Sequence, residues 1–402
     1  MIPKFYRKVL KNGMTVVFEK RDIPVVSVAF AVRQGGINEL EKEKGISHFI
    51  EHMLYKGTPT RNSKQIAEEI EKRGGVLNGF TSEVLTAYWC KMPSKHLDVA
   101  LDVLGDMVRN PKFEEKELNK ERKVIFEEIK LYKDSPGHYI GEGIHKMLYE
   151  EPFGIPLIGT PESMNNITKE IMLKKFEEVY QPNNLILCVV GNGEFKDITD
   201  FVEKNFPKGN GKIKKLKVKT KNQTKIEKRK GIDQANLMFA YHIPTAKNEK
   251  SHAAFLLNVV MAGGMSSRLF SEIREKRNLA YSIGGESEIH NDHANNYIHA
   301  GTSKENVEKV KTLILEEFEK VSKELGEKEF LQVKDQIIGN HQLSMENSQT
   351  QMVGLLLNEI NGNAKDFYGF EKKIKAVKLR DVKAIAKKAI KEHSFFALIP
   401  EE

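Results

Sequence analysis

The stretch FPKGNGKIKKLKVKTKNQ, residues 206–223, decides how this chain is read. It carries seven lysines and no acid, with Gly209, Gly211, Asn210 and Asn222 among them, so it cannot seed a core and reads as a domain boundary. It lies near the midpoint of 402 residues, a length that suits two domains of about 200 each. We expect domains over 1–207 and 222–402, joined by a basic linker over 208–221. Leu216 and Val218 alternate with lysines, which predicts a short exposed strand within the linker.

Outward from that boundary, the halves share a layout. The run Val25–Val32 predicts a strand followed by a long helix from about Gly45, and Asn236–Tyr241 predicts a strand followed by a helix from about Ser251. The apolar run 185–190 near the end of the first half matches 395–400 at the end of the second. The pattern is that of a duplicated unit. Strands and amphipathic helices mix without a strict βαβ rhythm, so the expected class is α+β, two duplicated domains, each a mainly antiparallel sheet covered by helices. The N-terminal MIPKFYRKVLKNGMTVVFEK reads as a strand, an Asn12-Gly13 turn and a second strand.

Composition excludes several classes. The basic segment 208–230 holds eleven Lys or Arg against Glu227 alone, which is more than the whole net charge of +8 and leaves the rest at −2. That is a solvated linker and not a nucleic-acid footprint, and no interleaved aromatics support one. No apolar run reaches 18 residues, and the N-terminus lacks a signal-peptide layout, so we expect a cytoplasmic chain with no membrane partner. Cys90 and Cys188, in apolar strand-like runs, read as buried reduced thiols.

Chemistry concentrates in GISHFIEHMLYKGT. His48 and His52 stand four apart, on one face of a helix, so both imidazoles can reach one ion. Glu51 lies beside them, placed to deprotonate a metal-activated water. A third ligand comes from ELNKERKVIFEEIKLYK, where Glu121, Val124, Ile125, Glu128 and Tyr132 share one helical stripe. Two carboxylates on an apolar stripe are costly unless paired or metal-bound. Glu128 is the expected ligand and Glu121, two turns away, its supporting partner. Neutral imidazoles with one carboxylate suit Zn2+, one per chain. The bland alternative is a charged, solvated helix face.

HFIEH, followed 76 residues after His52 by Glu128 within ERKVIFEE, resembles the pitrilysin/insulinase inverted zincins, and most of all their short, mitochondrial-processing-peptidase-like branch. That resemblance implies a zinc endopeptidase acting on extended peptides, with His48, His52 and Glu128 on zinc and Glu51 as general base. It further implies that GGVLNGFTSEVLTAYWC, with a strand-like run from Phe80 to Trp89, takes the peptide as an added strand contacted by Asn78. The loop Ala262–Leu269 resembles the family's glycine-rich loop, and Arg274 and Tyr281 in IREKRNLAYSI would contact substrate and stabilise the tetrahedral intermediate. Longer relatives enclose a chamber with four such domains, so the resemblance implies a homodimer in which Arg274 and Tyr281 serve the partner's zinc. The competing reading is a non-catalytic structural or partner subunit of the same fold.

Overall fold

A computed structural model describes residues 4–401, so the first strand is seen from Lys4 and Met1–Pro3 lie outside the described residues. The chain forms two compact units. The first holds a six-stranded sheet of β1 (Lys4–Val9), β2 (Thr15–Lys20), β3 (Val25–Val32), β4 (Val76–Thr81), β5 (Thr86–Pro93) and β6 (Leu185–Gly191). Their order is β1-β2-β6-β3-β5-β4, with β2 and β6 parallel and every other pair antiparallel. The second unit holds β7 (Thr224–Arg229), β8 (Ala235–His242), β9 (Ala280–Ile289), β10 (Ala294–Thr302) and β11 (Ser394–Pro400). These run β7-β11-β8-β10-β9, with β7 and β11 parallel and the rest antiparallel. Without β1 the two sheets have the same topology, β3 answering to β8 and β6 to β11. The expected α+β class of two duplicated, mainly antiparallel sheets is the architecture observed.

The central strands form where the sequence is apolar on both faces. Residues Leu185–Gly191 are buried throughout, as is nearly all of Val25–Val32, because helices cover both sides of the sheet. Ala29, Ala31, Ile186, Cys188 and Val190 turn toward Met352, Leu355 and Leu356 of the helix Ser348–Asn361. The helix Leu97–Arg109 packs on β3 and β5. In the second unit, Pro136–Leu148 packs on β8 and β11, while Ser251–Ala262 lies against β9 and β10. The units are therefore not contiguous in sequence: 130–155 belongs with the second sheet and 344–368 with the first. This differs from the expected halves 1–207 and 222–402, since each half lends a helical segment to the other's sheet.

Three local expectations are corrected. Residues 208–219 form no strand: Ile213, Leu216 and Val218 are half-buried but find no ladder partner, and the first regular strand after the boundary is Thr224–Arg229. The helix after Gly45 is short, nine residues over Ile46–Leu54. The run from Phe80 to Trp89 is the end of edge strand β4, a turn, and the start of interior strand β5. Both cysteines are buried and free.

One buried carboxylate anchors the lent helix in the first unit. Glu359 accepts from Arg7 Nε and Nη2 at 2.7 and 2.8 Å, from Arg33 Nη2 at 3.1 Å and from the Ala364 N–H at 3.0 Å. Burial alone would raise its pKa, but Arg7, the Ala364 amide and Arg33 outweigh that and hold it below the usual carboxylate value. A depressed folded-state pKa stabilises above the unfolded value, and the gain is lost as pH falls. Glu359→Gln is expected to lower unfolding free energy by about 3 kcal/mol at pH 7, with the gap to wild type narrowing below about pH 4. Urea denaturation at the two pH values checks this; an equal gap at both would assign the loss to packing alone.

Candidate metal centre

The motif helix begins at Gly45, whose φ of 91° only glycine adopts readily. Its first amides are capped from below, with the buried Glu39 carboxylate accepting from Gly45 and Ser47 N–H at 2.9 and 2.7 Å, an anion at the positive helix end. Burial pushes the Glu39 pKa up, against the pull of Lys44 and these amides. Lys44, also buried, lies 4.0 Å from Glu39 and 3.9 Å from Glu83 and donates to Gly36 O at 2.9 Å. With its start fixed, the helix buries Phe49, Ile50, Met53 and Leu54, and His48, Glu51, His52 and Tyr55 fall on the other face.

Glu128 comes from the twenty-residue helix Glu115–Asp134. Its buried face is Leu118, Glu121, Ile125 and Ile129, whereas Val124, expected on the stripe, is exposed. Glu128 Oε2 lies 3.8 Å from His48 Nε2 and 3.6 Å from His52 Nε2. One donor atom from each of the three residues falls within 4.8 Å of the others. The imidazole rings stand 4.6 Å apart at 68°. Three donors about 2.0–2.1 Å from one tetrahedral zinc would be about 3.3 Å apart, so a small inward movement closes the set on an ion.

Several observations fit a cation between these atoms. Glu128 Oε2 is buried without a hydrogen-bond partner, and the Oε2–Nε2 separations are too long to be hydrogen bonds. Burial, then the neighbouring His52, push His48 down to about 3, which keeps it a neutral donor. His52 is oriented from behind, its Nδ1 lying 3.2 Å from Glu121 Oε2, which turns Nε2 toward Glu128. Burial would lower the His52 pKa, but Glu121, Glu128 and Glu51 together raise it. Glu121 is itself buried and held by Lys56 Nζ at 2.7 Å. Burial favours its acid form, yet His52 and Lys56 hold it below the usual range, so it stays a carboxylate.

Glu51 faces β4. Thr81 Oγ1 donates to Glu51 Oε2 at 2.8 Å, which leaves Oε1 for a proton. Burial raises the Glu51 pKa and the Glu128 charge adds to it, against Thr81 and His52. Gly79 lets the strand pass close by, since a Cβ there would meet Tyr55 OH at 2.5 Å and Glu51 Oε1 at 3.0 Å.

The sequence-predicted residues thus separate into groups. His48, His52, Glu128, Glu51 and Glu121 converge in the first unit. Asn78 is exposed on β4, the edge strand, and its Oδ1 accepts from the Gly79 N–H at 2.7 Å. Arg274 and Tyr281 lie in the second unit. Arg274 is exposed on the helical turn Phe270–Glu275, its guanidinium 4.8 Å from the Phe270 ring centre. Tyr281 is exposed at a register shift in the β9–β10 ladder, where Ala280 pairs with Thr302 and Ser282 with Gly301. Gly263 and Gly264 make a turn between helices, and Arg268 beyond it is bound to Glu329 at 2.7 and 2.6 Å. Sequence reasoning missed Glu39, Lys56, Gly79 and Thr81. Gly79 and Thr81 could have been found by strand alternation, which puts residues two apart on one face; Lys56 stands four after His52.

Comparison with known proteins gives the chain its family. Residues 15–161 match the family described as Insulinase (Peptidase family M16), and residues 166–337 match the Peptidase M16 inactive domain. The chain is 31% identical over 399 residues to the uncharacterised zinc protease YmxG of Bacillus subtilis, covering 98% of this chain and 97% of that one. It is 33% identical over 342 residues to an uncharacterised zinc protease of Rickettsia felis, covering 84% and 83%. In fold it is similar to a protease from Helicobacter pylori, with a TM-score of 0.92, 23% identity and 100% of both chains covered. A peptidase M16 inactive domain from Pseudomonas fluorescens superposes with a TM-score of 0.89 at 20% identity, over 99% and 98% of the chains. With the family matched on both halves and a relative of this identity spanning nearly its whole length, the chain belongs to the insulinase family, peptidase family M16.

Proposed function

We propose that the chain is a zinc-dependent endopeptidase that hydrolyses extended peptides. The observation that carries this is the approach of His48 Nε2, His52 Nε2 and Glu128 Oε2 with the Glu51 carboxylate beside them. These three side chains hold the zinc ion, one at this site, and the ion when bound supplies Lewis acidity toward water and the scissile carbonyl. Glu51 Oε1 takes the proton of the attacking water and returns it to the departing amine nitrogen. Its raised pKa suits both steps better than an ordinary carboxylate would. Thr81 holds the other oxygen, and Glu121 keeps His52 in the tautomer whose Nε2 lone pair points inward.

The edge strand β4 receives the substrate as an added strand, pairing backbone to backbone, with Asn78 exposed along it. Arg274 and Tyr281, both exposed donors, stabilise the developing oxyanion from a second copy of the chain, in a homodimer. The buried free thiols Cys90 and Cys188 suit a reducing, cytoplasmic setting. Among the described residues no helix is long and apolar enough to cross a membrane.

Cleavage of a long quenched peptide is expected to fall to background with a chelator and to return with zinc; cleavage untouched by chelation would overturn the reading. The dimer has its own test. Mixing inactive Glu51→Gln with inactive Arg274→Ala chains should restore activity, up to about a quarter of wild type when half the dimers are mixed and each has one intact site. No recovery on mixing would place Arg274 in the service of its own chain's zinc, and an active Arg274→Ala chain would remove it from the chemistry.

A further inference from the structure

We propose that Glu288, His290 and His293 form a second binding site for a divalent ion of zinc type, on the hairpin that joins β9 to β10. The local sequence is Glu288-Ile289-His290-Asn291-Asp292-His293, and the chain reverses over Asn291 and Asp292, with the His290 N–H donating to His293 O at 2.9 Å. His290 and His293 therefore face each other across the turn. Glu288, two residues before His290, shares its face, and the ladder sets Glu288 opposite Asn295. A tight hairpin thus does for these residues what a helix does for His48 and His52: it brings two imidazoles and a carboxylate onto one patch.

The distances bear this out. Glu288 Oε1 is hydrogen-bonded to His293 Nε2 at 3.2 Å and lies 3.8 Å from His290 Nε2, the latter comparable with the separations in the first triad. One donor atom from each residue lies within 4.8 Å of the others. The set is held from behind: Tyr297 OH donates to Glu288 Oε2 at 3.0 Å, and Asn295 Nδ2 lies 3.5 Å from the same oxygen, so Oε1 is the atom presented. The His293 side chain is fully buried, its ring 4.8 Å from that of Phe153, and its Nδ1 has no hydrogen-bond partner. Glu288 and His290 are partly exposed and give an ion its way in. Two imidazoles and one carboxylate suit zinc or cobalt, whereas calcium and magnesium take oxygen ligands. An ion here would clip the β9–β10 hairpin, whose other end carries Tyr281. The bland alternative is a lone Glu288–His293 hydrogen bond with His290 idle.

The test is metal content per chain, by elemental analysis after the stripped protein is loaded with zinc and desalted, together with the melting temperature. Wild type is expected to hold two ions. Glu288→Gln and His290→Ala should each hold one; His290 is at the turn, so its removal leaves the core intact. A His48→Ala/His52→Ala variant should also hold one, and zinc should raise its melting temperature only while Glu288 is present. One ion in wild type that is lost with the His48/His52 pair and kept in Glu288→Gln and His290→Ala would overturn this site. One ion that survives loss of His48 and His52 but vanishes in His290→Ala would support it, and would count against the first triad instead.

Discussion

Glu51→Gln is expected to lower peptide turnover by about a thousandfold, within the range of 10²–10⁴ typical of a positioned general base, while zinc content and melting temperature stay at wild-type values. The amide keeps the shape of the side chain and can still accept from Thr81 at the position of Oε2. What it loses is the basic oxygen on the side of Gly79. Stability should not fall, because burial and the Glu128 charge already disfavour the carboxylate. The readout is kcat on a quenched peptide with metal content measured on the same sample. A variant that turns over like wild type removes Glu51 from the chemistry; one that loses its zinc reassigns Glu51 to metal binding.

Glu128→Ala has an effect of similar size by a different route. It removes the only carboxylate among the three approaching donors, so zinc affinity at this site should drop by more than about 100-fold, the upper end of what a supporting partner alone costs. Turnover should fall with it. Glu127, one residue earlier on the same helix, is exposed and turned away by about 100°. Glu127→Ala should bind zinc and cleave as wild type does. Competition with a chromophoric chelator, carried out in a Glu288→Gln background so that only one site is read, distinguishes the pair. Equal losses in both variants would reduce the effect to helix charge.

Much of this was legible in the residues. The central strands β3, β6, β8 and β11 announce themselves as apolar runs, β-branched in β3 and β6 and aromatic-rich in β8 and β11, and their correspondence between halves survives in the sheets. The candidate ligand set was legible as two helical spacings, the histidines standing four apart and Glu121 and Glu128 seven apart, although periodicity within each helix does not say that the two helices meet. The exchange of helical segments was not. Amphipathic periodicity says that Pro136–Leu148 and Ser348–Asn361 each bury a face, but not whose sheet they cover. Nor could Glu39 be read as a cap, since it stands six residues before the first amide it binds, and only the fold of the intervening loop brings it there. The linker failed as a strand for a related reason: Ile213, Leu216 and Val218 are half-buried, yet they find no ladder. The edge position of β4 was implied only by resemblance, and backbone pairing is what establishes it.

The most direct measurement is anomalous diffraction at the zinc edge from crystals of the zinc-loaded chain. We predict a peak bonded at about 2.0–2.2 Å to His48 Nε2, His52 Nε2 and a Glu128 oxygen at once. Density at the histidine pair with Glu128 swung away, or no peak there at all, would contradict the account.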